Sequence, residues 1–315
     1  MRSNSNLHKA KKAKNDEFYT RLEDIEKELT HYEGQFKGKI VLCNCDDPTM
    51  SAFWKYFHLN FTKLGLKKLI STHYEVDKPT YKMEYKGGND NDIKVGIKTP
   101  LKSNGDFRSQ ECLNVLDECD IVVTNPPFSL FRQYVAVLME HKKKFLIIGN
   151  KNAVKYKGIF PLLKNNEVWL GFNRPSNFIT PDGNTQKLNG LTRWFTNLGA
   201  MQDKKLILRE KYIPEKYQKY DNYDAINVNK VAEIPVDYDG VMGVPITFID
   251  KYNPKQFEIL GFTQRNDDPY RLFKYTKEQY LNANDLNACA TIKINGIPKM
   301  VYTRILIRKR NTRHR

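Results

Sequence analysis

Asp120 to Phe131 reads DIVVTNPPFSLF, and its interpretation decides the fold. Ile121, Val122 and Val123 are apolar and β-branched and are bounded by polar residues, as in a short buried strand. That strand runs directly into Asn125-Pro126-Pro127-Phe128. Each proline fixes its own φ, and a residue before proline is pushed out of the helical region. The tetrapeptide is therefore a stiff, extended turn at a strand end. An asparagine oxygen and a proline carbonyl offer two fixed acceptors beside an aromatic plane. This arrangement suits an exocyclic amino group on a flat base, which presents two N–H donors and a π-face.

Working outward, further strands are expected at KIVLCNC (Lys39 to Cys45), KKLISTHYE (Lys67 to Glu75), DIKVGI (Asp92 to Ile97) and KFLIIGN (Lys144 to Asn150). Helical spacing is read in SAFWKYFHLNFTKLG, in Ser109 to Leu116 and in FRQYVAVLMEHKKK. In FYTRLEDIEKEL the apolar residues Leu22, Ile25 and Leu29 share a face, with Thr20 as expected N-cap and Glu23 completing a capping box. Alternating strands and helices predict an α/β fold with a mostly parallel sheet. EVWLGF and LTRWFTNL are then expected as an antiparallel hairpin at one edge. After about Gly199 the composition changes to Tyr, Asn, Asp and Lys, so two regions are expected, residues 1–200 and 201–315.

Lys and Arg outnumber Asp and Glu by 52 to 36 in 315 residues, a formal charge of +16. Such an excess points to an anionic partner, most commonly nucleic acid, although a generally lysine-rich composition would produce it too. The five cysteines form no C-x-x-C pair and no zinc pattern, which fits a reducing cytosol and predicts no bound metal. No apolar run approaches the ~20 residues of a membrane span, and MRSNSNLHKAKKAK has no signal-peptide core. A cytoplasmic protein is expected.

In an open parallel sheet, ligands bind outside the carboxyl ends of the strands. Four stretches there are CNCDDP, THYE, GDF and NPPF, carrying Asp46 and Asp47, Glu75, Asp106, and Asn125. CNCDDP, at the end of the first strand, has no glycine to bring backbone against a pyrophosphate, which argues against NAD or ATP.

IVVT followed by NPPF resembles the catalytic motif of S-adenosylmethionine-dependent amino-methyltransferases. LHKAKKAKNDEFYT, VLCNCDDP, GDFRSQE, TNPPFSLF, RWFTNL, YDNYDAINVNK and GVPITFIDKYNPKQFEILGF, in this order, resemble the EcoRI-type adenine-specific DNA methyltransferase family over nearly the whole chain. The resemblance implies a Rossmann-like methyltransferase sheet with a C-terminal target-recognition region. It implies transfer of a methyl group from S-adenosyl-L-methionine to the amine of an adenine flipped out of double-stranded DNA. Asn125, Pro126, Pro127 and Phe128 would hold the base, with the ring stacked on it. Phe18, Tyr19 and Thr20 are similar to the motif that lies over the methionine part of the cofactor. Glu75 takes the place of the acid for the ribose hydroxyls, while Asp106 and Phe107 resemble the pair that meets the cofactor's adenine. The first strand departs from the family pattern, because CNCDDP has no glycine. A ligand with an ammonium, a sulfonium and no phosphate makes acids sensible there: Asp46 or Asp47 would meet the ammonium and Asn44 offers an amide.

Sequence readout requires Asn or Gln for adenine and Arg or Lys for guanine. YDNYDAINVNK supplies Asn222, Asn227 and Asn229, and TQRNDDPYR supplies Gln264, Arg265, Asn266 and Arg271. The basic arm (Lys9, Lys11, Lys12, Lys14) and the tail with Arg308 are expected on phosphates, which position without specifying. A separate cognate restriction endonuclease and a monomeric state are also expected. RNA- or glutamine-modifying methyltransferases share the N-P-P-aromatic motif, and a non-catalytic DNA-binding protein with a vestigial pocket is the alternative from another class.

Overall fold

The computed structural model describes residues 19–45, 47–75, 79–179, 184–188, 190–264, 270–279 and 285–310. The chain divides into two compact units, Met1–Ala200 and Met201–Arg315. Among the described residues no helix is long and apolar enough to cross a membrane.

The elements of the first unit are, in chain order, β1 (Tyr19–Thr20), α1 (Leu22–Leu29), β2 (Ile40–Cys45), α2 (Ala52–Leu59), α3 (Phe61–Leu64), β3 (Lys68–His73), β4 (Tyr81–Tyr85) and β5 (Ile97–Pro100). They continue with α4 (Gln110–Glu118), β6 (Ile121–Thr124), α5 (Phe131–Glu140), β7 (Lys144–Asn150), α6 (Phe160–Lys164), β8 (Trp169–Leu170), β9 (Asn177–Ile179), β10 (Thr185–Lys187) and β11 (Thr192–Thr196). A mixed sheet runs in the order β5-β4-β3-β2-β6-β7-β11-β8, and β1-β9-β10 forms a second, small sheet. Only the central strands β3, β2, β6 and β7 pair in parallel. They are the apolar runs with both faces covered, which is why they carry no polar alternation. Their side chains build the core with Ile25 and Leu29 of α1, Phe53, Trp54 and Phe57 of α2, and Trp194 of β11.

The fold is thus mixed α/β, and the parallel share is smaller than the alternation of elements suggests. Antiparallel strands flank the parallel core on both edges: β4 and β5 beyond β3, and β11 and β8 beyond β7. The expected hairpin is the second of these. The first arises because DIKVGI is mostly a loop, with the strand beginning only at Ile97. Trp54 Nε1 donates to the Ile93 carbonyl at 2.9 Å, and the ring nitrogens of the wholly buried His58 face the carbonyls of Asp90 and Val95 at 3.3 and 3.0 Å. Side chains of α2 thus meet this loop's carbonyls where a ladder partner would otherwise stand.

Thr20 does not cap α1. It is buried in β1 opposite Phe178 of β9, and the cap position falls to Arg21, which makes no side-chain capping bond. Long-range pairing overrides the local capping signal. Ser51 and Ser109 do cap, each accepting from a backbone N–H three residues on.

The second unit holds β12 (Ile226–Asn227), β13 (Met242–Pro245), β14 (Phe257–Phe262), β15 (Thr291–Ile294), β16 (Ile297–Met300) and β17 (Arg304–Lys309). Its sheet runs β12-β13-β17-β14, with β15 and β16 as a separate hairpin. Tyr220, Tyr223, Val241, Leu260 and Leu306 form one of its buried clusters.

Candidate active site

The chain leaves β2 toward β3 on one side and later returns to β6 on the other, so β2 and β6 flank a switch point. Residues at their carboxyl ends are tied together. Thr124 Oγ1 donates to the Asn44 carbonyl, and Tyr134 Oη of α5 donates to Asn44 Oδ1. Burial holds the Tyr134 hydroxyl well above its ordinary range, so it stays a donor. The Tyr134 ring also meets Phe107 edge-on, with centroids 5.0 Å apart. Asn44 and Phe107 thus share one anchor.

β2 ends in Cys45 with φ +83°, a left-handed conformation that disfavours any side chain. The glycine that CNCDDP lacks is replaced here by a strained cysteine. Cys45→Gly is expected to stay within about 1 kcal/mol of the parent in denaturant titration. Cys45→Val, β-branched at positive φ, should lose on the order of 2 kcal/mol.

Asp47 opens the turn over 47–50, its carbonyl accepting from Met50 N at 2.9 Å. Its Oδ1 accepts from Thr49 N (2.8 Å), Thr49 Oγ1 (2.7 Å) and Tyr81 Oη (3.1 Å). Burial alone would raise its carboxyl, but these bonds and the neighbouring His73 outweigh it and hold Asp47 below the usual range. Burial, followed by the Asp47 charge, pushes the Tyr81 hydroxyl up to about 12. His73, the last residue of β3, places Nε2 3.6 Å from Asp47 Oδ2 and 3.4 Å from Glu75 Oε1.

The GDF loop closes on the same strand end. Glu75 N donates to the Asn104 carbonyl at 2.9 Å. A Cβ on Gly105 (φ +78°) would stand 1.9 Å from the His73 carbonyl oxygen, so only glycine permits this approach. Asp106 is chelated by Arg108, whose backbone N–H and Nε reach Oδ1 at 2.9 Å and whose Nη2 reaches Oδ2 at 2.6 Å. The guanidinium bond, ahead of an opposing burial effect, lowers the Asp106 pKa. Asp47 and Asp106 therefore remain ionised throughout the neutral and mildly acidic range.

In NPPF, Asn125 and Pro126 are buried, while Pro127 and Phe128 are half-buried. The Pro127 carbonyl is engaged by Leu130 N at 3.0 Å, closing the turn into α5. Phe128 packs in part against the core of the first unit. Tyr19 and Thr20 lie on β1, beside α2. Thr20 Oγ1 is buried without a hydrogen-bond partner among the described residues. Phe18 and Asp46 lie outside the described residues, as do Lys9, Lys11, Lys12, Lys14, Arg265 and Asn266.

Asn44, Asp47, Glu75, Asp106 and Phe107 are therefore linked around the ends of β2 and β3 and the loop before α4. His73, Thr80, Tyr81, Arg108 and Tyr134 were not anticipated. THYE and GDFR held a signal for His73 and Arg108 by adjacency to acids, whereas Tyr134 had none outside the helix pattern. Three acids and an amide, with the one guanidinium already bound by Asp106, suit a ligand carrying positive charge and hydroxyl donors and repel a phosphate.

The asparagines of the second unit differ in accessibility. Asn222 is wholly buried: its Nδ2 donates to the Cys289 carbonyl at 3.2 Å, and its Oδ1 accepts from Thr291 N at 2.8 Å. Asn227 is buried with Oδ1 accepting from Tyr220 Oη and Nδ2 donating to Asn229 Oδ1, both at 3.0 Å. In both, the amide oxygen and the amide nitrogen are engaged within the second unit. Asn229 is exposed and Gln264 half-buried. Arg271 is a clamp, its Nη2 reaching Tyr223 Oη and the Gln264 carbonyl at 2.7 Å and the Asn287 carbonyl at 3.0 Å. Arg308 lies half-buried on β17 opposite Glu258.

Comparison with known proteins gives consistent results. A family model described as adenine-specific methyltransferase EcoRI matches residues 6–310. The Type II methyltransferase M.EcoRI of Escherichia coli is 46% identical over 301 residues, covering 84% of this chain and 91% of that protein. Type II methyltransferase M.MgeORF184P of Mycoplasma genitalium is 39% identical over 328 residues, covering 96% and 98%. Type II methyltransferase M.MpnI of Mycoplasma pneumoniae is 44% identical over 276 residues, covering 81% and 84%. No solved structure matches the chain.

Proposed function

The chain belongs to the EcoRI family of adenine-specific DNA methyltransferases, and we propose that it methylates the exocyclic amine of an adenine flipped out of duplex DNA. The observation that carries the residue-level reading is the convergence of NPPF at the end of β6 with an acidic, phosphate-averse site at the ends of β2 and β3. S-adenosylmethionine fits that site by its chemistry. Asp47, with Asn44 beside it, would hold the ammonium end, and Glu75 would accept from the ribose hydroxyls. Asp106 retains acceptor capacity beyond its Arg108 clamp for the adenine amine of the cofactor, with Phe107 against the ring. Tyr19 and Thr20 would cover the methionine part.

When bound, the cofactor supplies an electrophilic methyl group on a sulfonium. Asn125 Oδ1 and the Pro126 carbonyl would accept the two N–H bonds of the target adenine, since the Pro127 carbonyl already closes a turn. These acceptors turn the amine lone pair out of the ring plane, and Phe128 would stack on the base. Held this way, the amine nitrogen would be placed to take the methyl group from the sulfonium, with its surplus proton passing to water. No covalent intermediate with the protein is required.

In this reading the first unit is a Rossmann-like catalytic domain and residues 201–315 recognise the target. Asn229 and Gln264 are the remaining amides for base readout, with Asn222 and Asn227 as scaffold. Arg308 and the arm of Lys9, Lys11, Lys12 and Lys14 would position phosphates. A cognate restriction endonuclease acting separately, a monomeric state and a cytoplasmic location complete the proposal.

Unmethylated duplex DNA incubated with the protein and radiolabelled S-adenosylmethionine should acquire label, and sequencing should map N6-methyladenine to one short recurrent site. Label on cytosine, or on adenines without a shared site, would defeat the proposal.

A further inference from the structure

His73 has no part in the reaction described above, yet it is the common neighbour of two acids assigned to the cofactor. It is only 5% exposed. Nε2 faces Asp47 Oδ2 at 3.6 Å and Glu75 Oε1 at 3.4 Å, so the same nitrogen confronts carboxylates from two different strand ends. Thr80 Oγ1 also contacts the ring, 3.0 Å from Nε2 and 3.2 Å from Nδ1. Tyr81 of β4 meets the ring edge-on at 4.9 Å and donates to Asp47 through its hydroxyl, while the Lys98 ammonium of β5 lies 3.6 Å above the Tyr81 ring. Gly105 presses on the His73 carbonyl.

Two carboxylates beside one another repel and, left alone, would swing apart into water. Asp47 and Glu75 are each little more than a quarter exposed, so they are oriented rather than freely solvated. The imidazole is the buried group between them. A hydroxyl and an aromatic edge contact the same ring, so it is held by more than the two acids. Among the described residues no three His, Cys, Asp or Glu side chains are placed to hold a metal ion, and the trio is one imidazole in close contact with two carboxylates.

We propose that His73 is a positioning residue of the cofactor site, whose Nε2 sets the separation and orientation of Asp47 and Glu75. The proposal rests on the reading of those two acids as cofactor ligands. It assigns His73 to binding of S-adenosylmethionine rather than to methyl transfer itself.

The test measures S-adenosylmethionine affinity by calorimetry, and KM and kcat in the methylation assay, for His73→Leu, His73→Gln and His73→Asn. His73→Leu should weaken cofactor affinity roughly tenfold, the worth of one hydrogen bond to a charged group. The loss should appear in KM for the cofactor, with kcat at saturation within about twofold of the parent. A glutamine amide nitrogen occupies nearly the position of Nε2, whereas that of asparagine mimics Nδ1. Glutamine should therefore restore affinity to within about threefold and asparagine should not, a contrast that a merely structural histidine would not produce. In a double-mutant cycle, His73→Leu should add little to Glu75→Gln.

Parent-like affinity in His73→Leu, equal behaviour of the Gln and Asn variants, or full additivity with Glu75→Gln would overturn the proposal. Should His73→Leu fail to fold, as judged by thermal melting, the Gln and Asn variants decide alone. Asp47→Asn and Glu75→Gln separate the two levels. If both bind the cofactor normally, the reading of the acids fails; if both weaken it and His73 variants do not, only the role of His73 fails.

Discussion

Asn125→Ala is expected to lower kcat for methyl transfer by about 100-fold or more, the scale seen when a positioned polar group is removed from a reacting centre. Asn125 is the first residue after β6, buried between Thr124, which is bonded to the Asn44 carbonyl, and Pro126, whose φ is fixed by its ring. Its amide cannot be replaced by water without losing that direction. Cofactor affinity should survive, because Asn44, Asp47, Glu75 and Asp106 reach the site from other strand ends. Single-turnover transfer of radiolabelled methyl groups, alongside calorimetric titration of S-adenosylmethionine, separates the two effects. Asn125→Asp keeps acceptors in place and should retain a higher rate than the alanine variant. Phe128→Ala should lose less, roughly tenfold, since stacking on one base is worth about 1–3 kcal/mol and part of the ring serves the core. Near-parent turnover in Asn125→Ala would remove NPPF from the reaction. Joint loss of turnover and cofactor binding would relocate Asn125 to the cofactor site.

The central strands were legible because IVLC, LIS, IVV and FLII are buried on both faces and need no partner-specific information to be recognised. Strand β4 was not, because YKMEY mixes Glu84 and Lys82, which pair with each other, with apolar residues and resembles a loop. Thr20 and Asn222 take their places for one shared reason. A threonine before an amphipathic run, or an asparagine in a Tyr- and Lys-rich stretch, has a local meaning that distant partners cancel: β9 for Thr20, and the 289–291 backbone for Asn222. The site shows the same division. Acids at strand ends could be picked out from topology alone, whereas Tyr134 and His73 acquire their place only when helix and strand ends converge.

Removing Glu28 should destabilise the first unit by roughly 3–5 kcal/mol. In LEDIEKEL it looks like one more acid on the wet side of α1, yet it is wholly buried. Its carboxylate accepts from Phe172 N (2.8 Å), Asn173 N (2.7 Å), Asn173 Nδ2 (3.0 Å) and Tyr32 Oη (3.1 Å). A Cβ on Gly171 would stand 2.1 Å from Glu28 Oε1, so the glycine is what lets the 171–173 backbone close around the acid. Glu28→Ala leaves these donors facing a cavity, and each unsatisfied buried donor costs about 1–3 kcal/mol. Against a total stability of about 5–15 kcal/mol the loss is large, and the melting temperature should fall by on the order of 10 °C. Burial, outweighing the donors, raises the Glu28 carboxyl above the ordinary glutamate range. A raised carboxyl contributes most below its unfolded pKa and loses that contribution as pH climbs through the folded value. The destabilisation by Glu28→Ala should therefore be greater near pH 4 than at pH 8, read from paired denaturant titrations. A penalty that grows with pH would mean that the ionised carboxylate is favoured by its cage, and a penalty below about 1 kcal/mol at every pH would show that water replaces it.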